Sequence, residues 1–156
     1  MDNYISTHHR HPVSQGGANQ PWNIIDVARK PHNAWHILVG NAPAPYIPHY
    51  LNRYCSQYTF WIIGNPEHAT ARAPIEGFSK RKGKIIGAWD TLFHNMSLQE
   101  VVYSINTTWI DPRFKLIAYP KTVHWKDAWQ QFEKNHQGLY LFPSEIHTLD
   151  CVQLSY

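Results

Sequence analysis

Residues 7–36 read THHRHPVSQGGANQPWNIIDVARKPHNAWH, a segment with histidine pairs at both of its ends. His8 and His9 are adjacent at its start, and His32 and His36 lie four positions apart at its end. Histidine is abundant in this chain, with eleven residues, so some of its histidines are bystanders. The spacing of these four nevertheless predicts a metal site, with chance clustering as the alternative.

The end of this segment predicts a helix. Pro31 suits a first helical turn, because its missing N–H would be unpaired there in any case. Gly40 is a typical helix end. Since residues four apart lie one above the other on a helix, His32 and His36 share a face and can bind the same cation.

The start of the segment predicts a hairpin that supplies a third ligand. Residues 4–9 form a short strand, in which neighbouring side chains point to opposite faces. One of His8 and His9 can therefore bind metal while the other faces a substrate. The pair Gly16-Gly17 allows a tight reversal, and residues 23–27 form the returning strand. Three protein ligands leave a coordination position open for chemistry.

This segment resembles the HNH (ββα-metal) endonuclease motif. The stretch HHRHPVSQGG is similar to the corresponding part of the nuclease colicins, and HNAWHILVGN resembles small bacterial and phage HNH proteins. The resemblance covers the N-terminal part of the chain. The positions that carry it are His8, His9, Pro12, Gly16, Gly17, Asn23, His32 and His36.

The resemblance implies a role for each polar residue. His8, His32 and His36 are metal ligands, His9 is the general base, and Asn23 orients the ring of that base. A neutral imidazole, with an ordinary pKa of about 6.5, can take a proton from water near neutral pH. A divalent metal stabilises the charge that develops on a phosphodiester. Imidazoles suit several ions, so we expect one divalent metal ion, Mg²⁺, Mn²⁺, Zn²⁺ or Ni²⁺.

The expected function is therefore a metal-dependent endonuclease that hydrolyses double-stranded DNA and leaves 3′-hydroxyl and 5′-phosphate ends. The alternative is a non-catalytic module that binds nucleic acid or protein and uses the metal only to staple its fold. Structural sites usually close with four ligands, often cysteines, which disfavours the alternative. A homodimer or a protein partner is left open.

A second pattern predicts an internal duplication. Residues 34–41, AWHILVGN, align without gaps on residues 88–95, AWDTLFHN. At the same offset Leu51-Asn52 meets Ile105-Asn106, and Phe60 meets Phe114. Each copy is expected to hold a helix, a second helix and a strand. Coincidental similarity between two amphipathic helices is the alternative.

The second copy lacks the residues of the metal site. Ile86 stands where the first copy has His32, and Asp90 replaces His36. Its continuation, SLQEVVYSINTTWIDPRF, still resembles the usual tail of small HNH proteins. We therefore interpret the second copy as degenerate, kept for packing or for substrate contact.

We expect an α+β chain with a ββα-metal core, a degenerate second copy, and a C-terminal helix with short strands. The predicted divisions are residues 1–62 for the HNH core with its following helix and strand, 63–84 for a basic connecting segment, 85–119 for the degenerate repeat, and 120–156 for the C-terminal helix, near residues 123–134, and its extended tail.

Basic residues at two places are candidates for phosphate contact. They flank the proposed site or form the basic run of the connecting segment: Arg10, Arg29, Lys30, Lys80, Arg81 and Lys82. Solvated surface is the alternative for each. A net charge of +3 suits a nucleic-acid partner without deciding the matter.

The remaining composition bears on the compartment. Cys55 and Cys151 lack metal-ligand spacing, so we expect buried, reduced thiols, with a single disulfide as the alternative. No charged-then-apolar leader and no apolar run of membrane-spanning length occurs in the sequence. We therefore expect a cytoplasmic protein without a membrane partner.

Overall fold

The computed structural model describes residues 4–55, 57–68, 84–122, 127, 130, 140–142 and 152–153. The strands and helices in chain order are β1 (Ile5–His9), β2 (Ile24–Ala28), α1 (Arg29–Val39), α2 (Ile47–Tyr54), β3 (Tyr58–Gly64), α3 (Ile85–Phe93), α4 (Leu98–Ser104), β4 (Phe114–Pro120), β5 (Tyr140–Phe142) and β6 (Val152–Gln153). The predicted mixed α+β class is confirmed. Most of the basic connecting segment, including Lys80, Arg81 and Lys82, and most of the predicted C-terminal helix lie outside the described residues.

The N-terminal hairpin pairs β1 with β2 in antiparallel register, from Ile5 opposite Ala28 to His9 opposite Ile24. The connecting loop closes on itself, because the amide of Gly17 donates to the carbonyl of Pro12 over 2.9 Å. Gly16 has a φ of 94°, and a Cβ on Gly17 would collide with the backbone of His11. The glycine pair therefore makes a close turn within the loop, whereas the strands themselves are joined by residues 10–23 rather than by the tight reversal that was expected.

Helix α1 follows the hairpin directly and begins at Arg29, two residues before the predicted start. Pro31 still falls within the first turn, where the N–H groups have no partner inside the helix, so its ring does no damage. The helix ends at Gly40, which has a φ of 63°, as predicted. Its buried face is formed by Ala34, Trp35, Leu38 and Val39.

The larger sheet has the strand order β4-β3-β5-β6, and every neighbouring pair is antiparallel. Strands β3 and β4 pair along their whole lengths, from Tyr58 opposite Pro120 to Gly64 opposite Phe114. Helix α1 packs against α3, and α2 packs against β3. The shared core includes Leu38, Leu51, Phe60, Ile62, Ile105 and Leu116, all fully buried.

Two asparagines bond the backbone of strands β3 and β4 in the same manner. Asn52 donates to the carbonyl of Phe60 and accepts from its amide, at 3.1 and 2.7 Å. Asn106 makes the same pair of bonds to Leu116, at 2.9 and 2.7 Å. Each asparagine ties a helix to the following strand.

Helix α4 begins with a capping box, in which Ser97 and Glu100 each bond the other's amide. It continues into a π-helical turn over Ile105–Trp109, where the amide of Ile110 reaches back to the carbonyl of Ile105. Such turns redirect carbonyl groups away from the regular helical pattern and often occur at functional sites. Within the described part of the chain, no helix is both long and apolar enough to cross a bilayer.

Candidate metal centre

One group of potential metal ligands stands out among the described residues: His8 from β1, with His32 and His36 from α1. Their ligand atoms all lie within 4.8 Å of one another. The Nε2 atoms of His32 and His36 are 3.0 Å apart, as expected for one helical turn. Nitrogens around a tetrahedral zinc ion are about 3.4 Å apart, given Zn–N bonds of about 2.0–2.1 Å. Small ring movements would therefore fit the three imidazoles to such an ion.

Backbone carbonyls fix two of these rings from outside the group. The Nε2 of His8 donates to the carbonyl of Trp109 over 2.8 Å, and the Nδ1 of His36 donates to the carbonyl of Gly40 over 2.7 Å. Because a carbonyl only accepts, the lone pairs of these rings are on Nδ1 of His8 and Nε2 of His36. Outer partners that set the ring orientation and the proton position are typical of metal-binding histidines.

The lone pair on Nδ1 of His8 is not used by a hydrogen bond to the described part of the protein. Its Nδ1 is buried and has no hydrogen-bond partner among the described residues. The side chain as a whole is 1% exposed. A buried polar atom without a partner costs about 1–3 kcal/mol. A cation bound there would remove this cost, so the atom fits a metal ligand.

The electrostatics of the group favour neutral imidazoles. Burial, with smaller contributions from the neighbouring His36 and His32, lowers the pKa of His8 to about 4 against the opposing effect of the Trp109 carbonyl. Burial, and then the proximity of His36 and His9, lower the pKa of His32. Since only the neutral ring can bind metal, the lowered pKa values leave His8 and His32 in the metal-binding form near neutral pH.

His9 lies outside the three-histidine group, although it is next to His8 in sequence. Its side chain is half-buried, and its Nε2 lies 2.6 Å from the side-chain oxygen of Asn19. The oxygen accepts, so the proton of this ring is on Nε2 and the lone pair is on Nδ1. The alternation predicted for β1 is confirmed, because one histidine joins the group and the next does not.

Asn23 does not contact the ring of His9, so the direct contact expected between them is wrong. Its oxygen accepts from the amide of His11 at 2.6 Å, and its nitrogen donates to the carbonyls of His11 and Ala18 at 3.0 and 2.8 Å. Asn23 is fully buried and ties the two sides of the hairpin loop together. The loop in turn presents Asn19, which takes the place beside His9 that the sequence suggested for Asn23.

The guanidinium of Arg10 is engaged by the protein. It donates to the carbonyls of Thr107, Thr108 and Trp22, at 2.9, 3.4 and 3.1 Å. Two of these carbonyls belong to the π-helical turn that also binds His8. Arg10 therefore anchors β1 to the second half of the chain, and its predicted phosphate contact stays a prediction.

Arg29 and Lys30 are exposed in the first turn of α1, just before His32. Arg29 also lies over the ring of Tyr4, at 5.7 Å from its centre. No acidic residue stands in this first turn, and the N-cap residue, Ala28, makes no side-chain bond to it. Cations oppose the helix dipole at this end, whereas an anion would be stabilised there.

Helix α3 bears no such group at the corresponding positions. Ile86, which the sequence alignment relates to His32, is 84% exposed. Asp90, in place of His36, is 66% exposed and bonds His94 four residues later. Cys55 is half-buried rather than buried, and Cys151 lies outside the described residues.

Ser6, Asn19 and Trp109 were missed by sequence reasoning. The period-two pattern of β1 could have identified Ser6, because it precedes His8 by two residues and shares its face. No signal of that kind exists for Asn19 in a loop or for a backbone carbonyl at Trp109. Comparison with protein-family models, with curated proteins and with solved structures found no match for this chain.

Proposed function

We propose that this protein is a metal-dependent endonuclease of the HNH (ββα-metal) type that hydrolyses DNA. The observation that carries the proposal is the three-imidazole group, with each ring held from outside and His9 beside it but not part of it. Strand β1 supplies His8 and His9, and helix α1, which follows β2 directly, supplies His32 and His36. A purely structural metal site would not require the imidazole of His9, which is not a ligand.

His9 is the proposed general base. Its Nδ1 has the lone pair, because Asn19 holds the proton on Nε2. That nitrogen can take a proton from a water molecule that attacks the phosphorus. Asn23 acts indirectly, by holding the loop that carries Asn19.

A divalent ion bound by the three histidines would stabilise negative charge on the phosphate oxygens and on the leaving oxygen. The residues fit such an ion by their chemistry, since three neutral imidazoles leave its full charge available. Mg²⁺, Mn²⁺, Zn²⁺ and Ni²⁺ are the candidates, with borderline nitrogen ligands favouring the last two.

The first turn of α1 supports a phosphate-binding role for Arg29 and Lys30. An anion there would interact favourably with the dipole of the helix that bears His32 and His36. A DNA backbone in this position would bring a phosphate close to the metal ligands. Lys80, Arg81 and Lys82 are proposed as further contacts on the sequence pattern alone.

We also propose that the second unit is a degenerate duplicate of the first. Its helix–helix–strand order repeats that of α1, α2 and β3. The offset read from the sequence relates Ile62 to Leu116, and these two residues lie directly opposite each other where β3 pairs with β4. The asparagines Asn52 and Asn106 are related by the same offset, and each makes a pair of backbone bonds to the following strand, although their strand partners, Phe60 and Leu116, are two residues out of that offset.

The rival function is a binding module in which the metal only staples the fold. The carbonyl of Trp109 favours it, because this contact links the metal ligands of the first unit to the second unit. The two functions differ in their need for His9: the nuclease requires it as the general base, whereas a structural metal site does not.

The test is cleavage of supercoiled plasmid by the purified protein with Mg²⁺, Mn²⁺, Ni²⁺ or Zn²⁺. We expect nicking or linearisation that falls roughly 10²–10⁴-fold in His9→Ala, the usual contribution of a general base. The matched control is His94→Ala, which removes an exposed histidine from α3 and should cleave at the wild-type rate. Metal affinity should stay unchanged in both variants.

Absence of cleavage with every metal, despite stoichiometric metal binding, would contradict the nuclease and leave the binding module. Equal cleavage by His9→Ala and the wild-type protein would reject His9 as the base.

A further inference from the structure

The outer partners of the three histidines differ in one chemical respect. His8 and His36 are held by backbone carbonyls, which only accept hydrogen bonds. His32 is held by the hydroxyl of Ser6, whose Oγ lies 2.7 Å from its Nδ1. A hydroxyl can donate as well as accept.

The metal-free arrangement determines where the proton of His32 must be. The Nδ1 of His36 carries its proton toward Gly40, so its Nε2 presents a lone pair to the Nε2 of His32, 3.0 Å away. Two lone pairs at this distance would repel, so His32 must donate from Nε2. Its Nδ1 then has the lone pair, and Ser6 donates to it.

The metal-bound arrangement requires the opposite. Metal takes the lone pairs of both Nε2 atoms, so the single proton of neutral His32 has to be on Nδ1. Ser6 must then accept. A carbonyl in its place could serve the metal-bound state only, and it would face a lone pair in the metal-free state.

We propose that Ser6 is a positioning residue that lets His32 change tautomer when metal binds, by donating to His32 Nδ1 without metal and accepting from it with metal. The hydroxyl hydrogen turns while the ring stays in place. The inference rests on the metal site of the proposed function, and it is independent of whether DNA is cleaved. It accounts for the hydroxyl at this one ring.

Long-range ¹H–¹⁵N spectra of histidine-labelled protein would test it, because they identify which ring nitrogen carries the proton. The probe is Zn²⁺, which is diamagnetic, at about pH 8, above the ordinary histidine pKa. We expect His32 to carry its proton on Nε2 without zinc and on Nδ1 with zinc. His8 should keep its proton on Nε2, and His36 on Nδ1, in both states.

Ser6→Ala provides the second arm. Zinc affinity should fall roughly 10–100-fold, the usual effect of losing an outer partner of a metal ligand. Ser6→Thr retains the hydroxyl and should recover most of the loss. The matched control is Thr7→Ala, because Thr7 is exposed on the same strand and bonds Asp26 instead. This control should bind zinc like the wild-type protein.

A proton on Nδ1 of His32 in both states would overturn the inference alone, as would equal zinc affinity of Ser6→Ala and Thr7→Ala. The wild-type spectra decide the question even if Ser6→Ala fails to fold. Failure of the wild-type protein to bind zinc at this site would overturn the inference together with the metal centre. Zinc binding with the tautomer change, but without plasmid cleavage, would uphold the inference and contradict the nuclease.

Discussion

Helices α1 and α3 pack against each other and share a sequence pattern, yet they differ in the residues that face outward from the core. In α1 these positions hold His32 and His36, which the hairpin covers by placing His8 against them. In α3 they hold Ile86 and Asp90, which are exposed. Both helices bury an apolar face, whereas only α1, of the two, bears histidines of the candidate metal site.

The largest difference between the two helices should appear on removal of the last ligand. His36→Ala should weaken zinc binding by more than about 100-fold, since even an outer partner contributes roughly 10–100-fold. Asp90→Ala, at the corresponding position of α3, should leave zinc affinity unchanged. Titration of both variants against a chelator of known affinity would measure this. Comparable losses in the two variants would show that the metal is bound elsewhere.

Loss of the tryptophan should destabilise the protein more in α1 than in α3. Trp35 is 2% exposed and stacks on Trp109 at 5.5 Å, whereas its counterpart Trp89 is half-buried beside Phe93. Trp35→Ala should cost about 3–5 kcal/mol of unfolding free energy, and Trp89→Ala less than half of that. Urea denaturation followed by circular dichroism would compare them. A larger cost for Trp89→Ala would contradict the packing described for α1.

The metal-free protein should lose stability on acidification because of the histidine group. The pKa of His8 is about 4 when folded and 6.5 when unfolded, so the unfolded chain binds more protons between these values. The stabilisation, about 3 kcal/mol, is complete above pH 6.5 and is lost as the pH falls toward 4.

Denaturation in the presence of a chelator at several pH values would measure this slope. His8→Gln should reduce it, and His94→Gln should not. Part of the slope should persist in His8→Gln, because burial lowers the pKa values of His11 and His32 as well. An unchanged slope in His8→Gln would show that the buried His8 ring is not its source.

The smallest losses of stability are expected on removal of Asn52 and Asn106, which make similar bonds to the following strands. Asn52→Ala and Asn106→Ala each remove two hydrogen bonds to a strand, so each should cost about 1–3 kcal/mol of unfolding free energy. The two costs should agree within about 1 kcal/mol. A large cost for one and none for the other would weaken the proposed duplication.

Local patterns predicted the parts of the site that depend on local geometry. The spacing of His32 and His36 determines that they share a helical face, and the glycine pair determines a close turn within the loop between the strands. The start of α1 was placed two residues late, because Pro31 is tolerated anywhere in the first turn and does not define its first residue.

Contacts between distant segments could not be predicted in this way. His8 bonds the carbonyl of Trp109, which is exposed to it by a π-helical turn without a sequence signature. Asn23 contributes through the loop backbone, because the loop folds back far enough to bring Ala18 and His11 to its amide. Such details depend on how segments distant in sequence pack together, which short patterns do not contain.

We propose that His8, His32 and His36 bind one metal ion and leave a coordination position open. The anomalous-difference map of a zinc-loaded crystal would locate this ion. We expect one zinc ion on Nδ1 of His8 and on Nε2 of both His32 and His36, with water completing the coordination. Zinc at another place, or a fourth protein ligand in the position of that water, would contradict it.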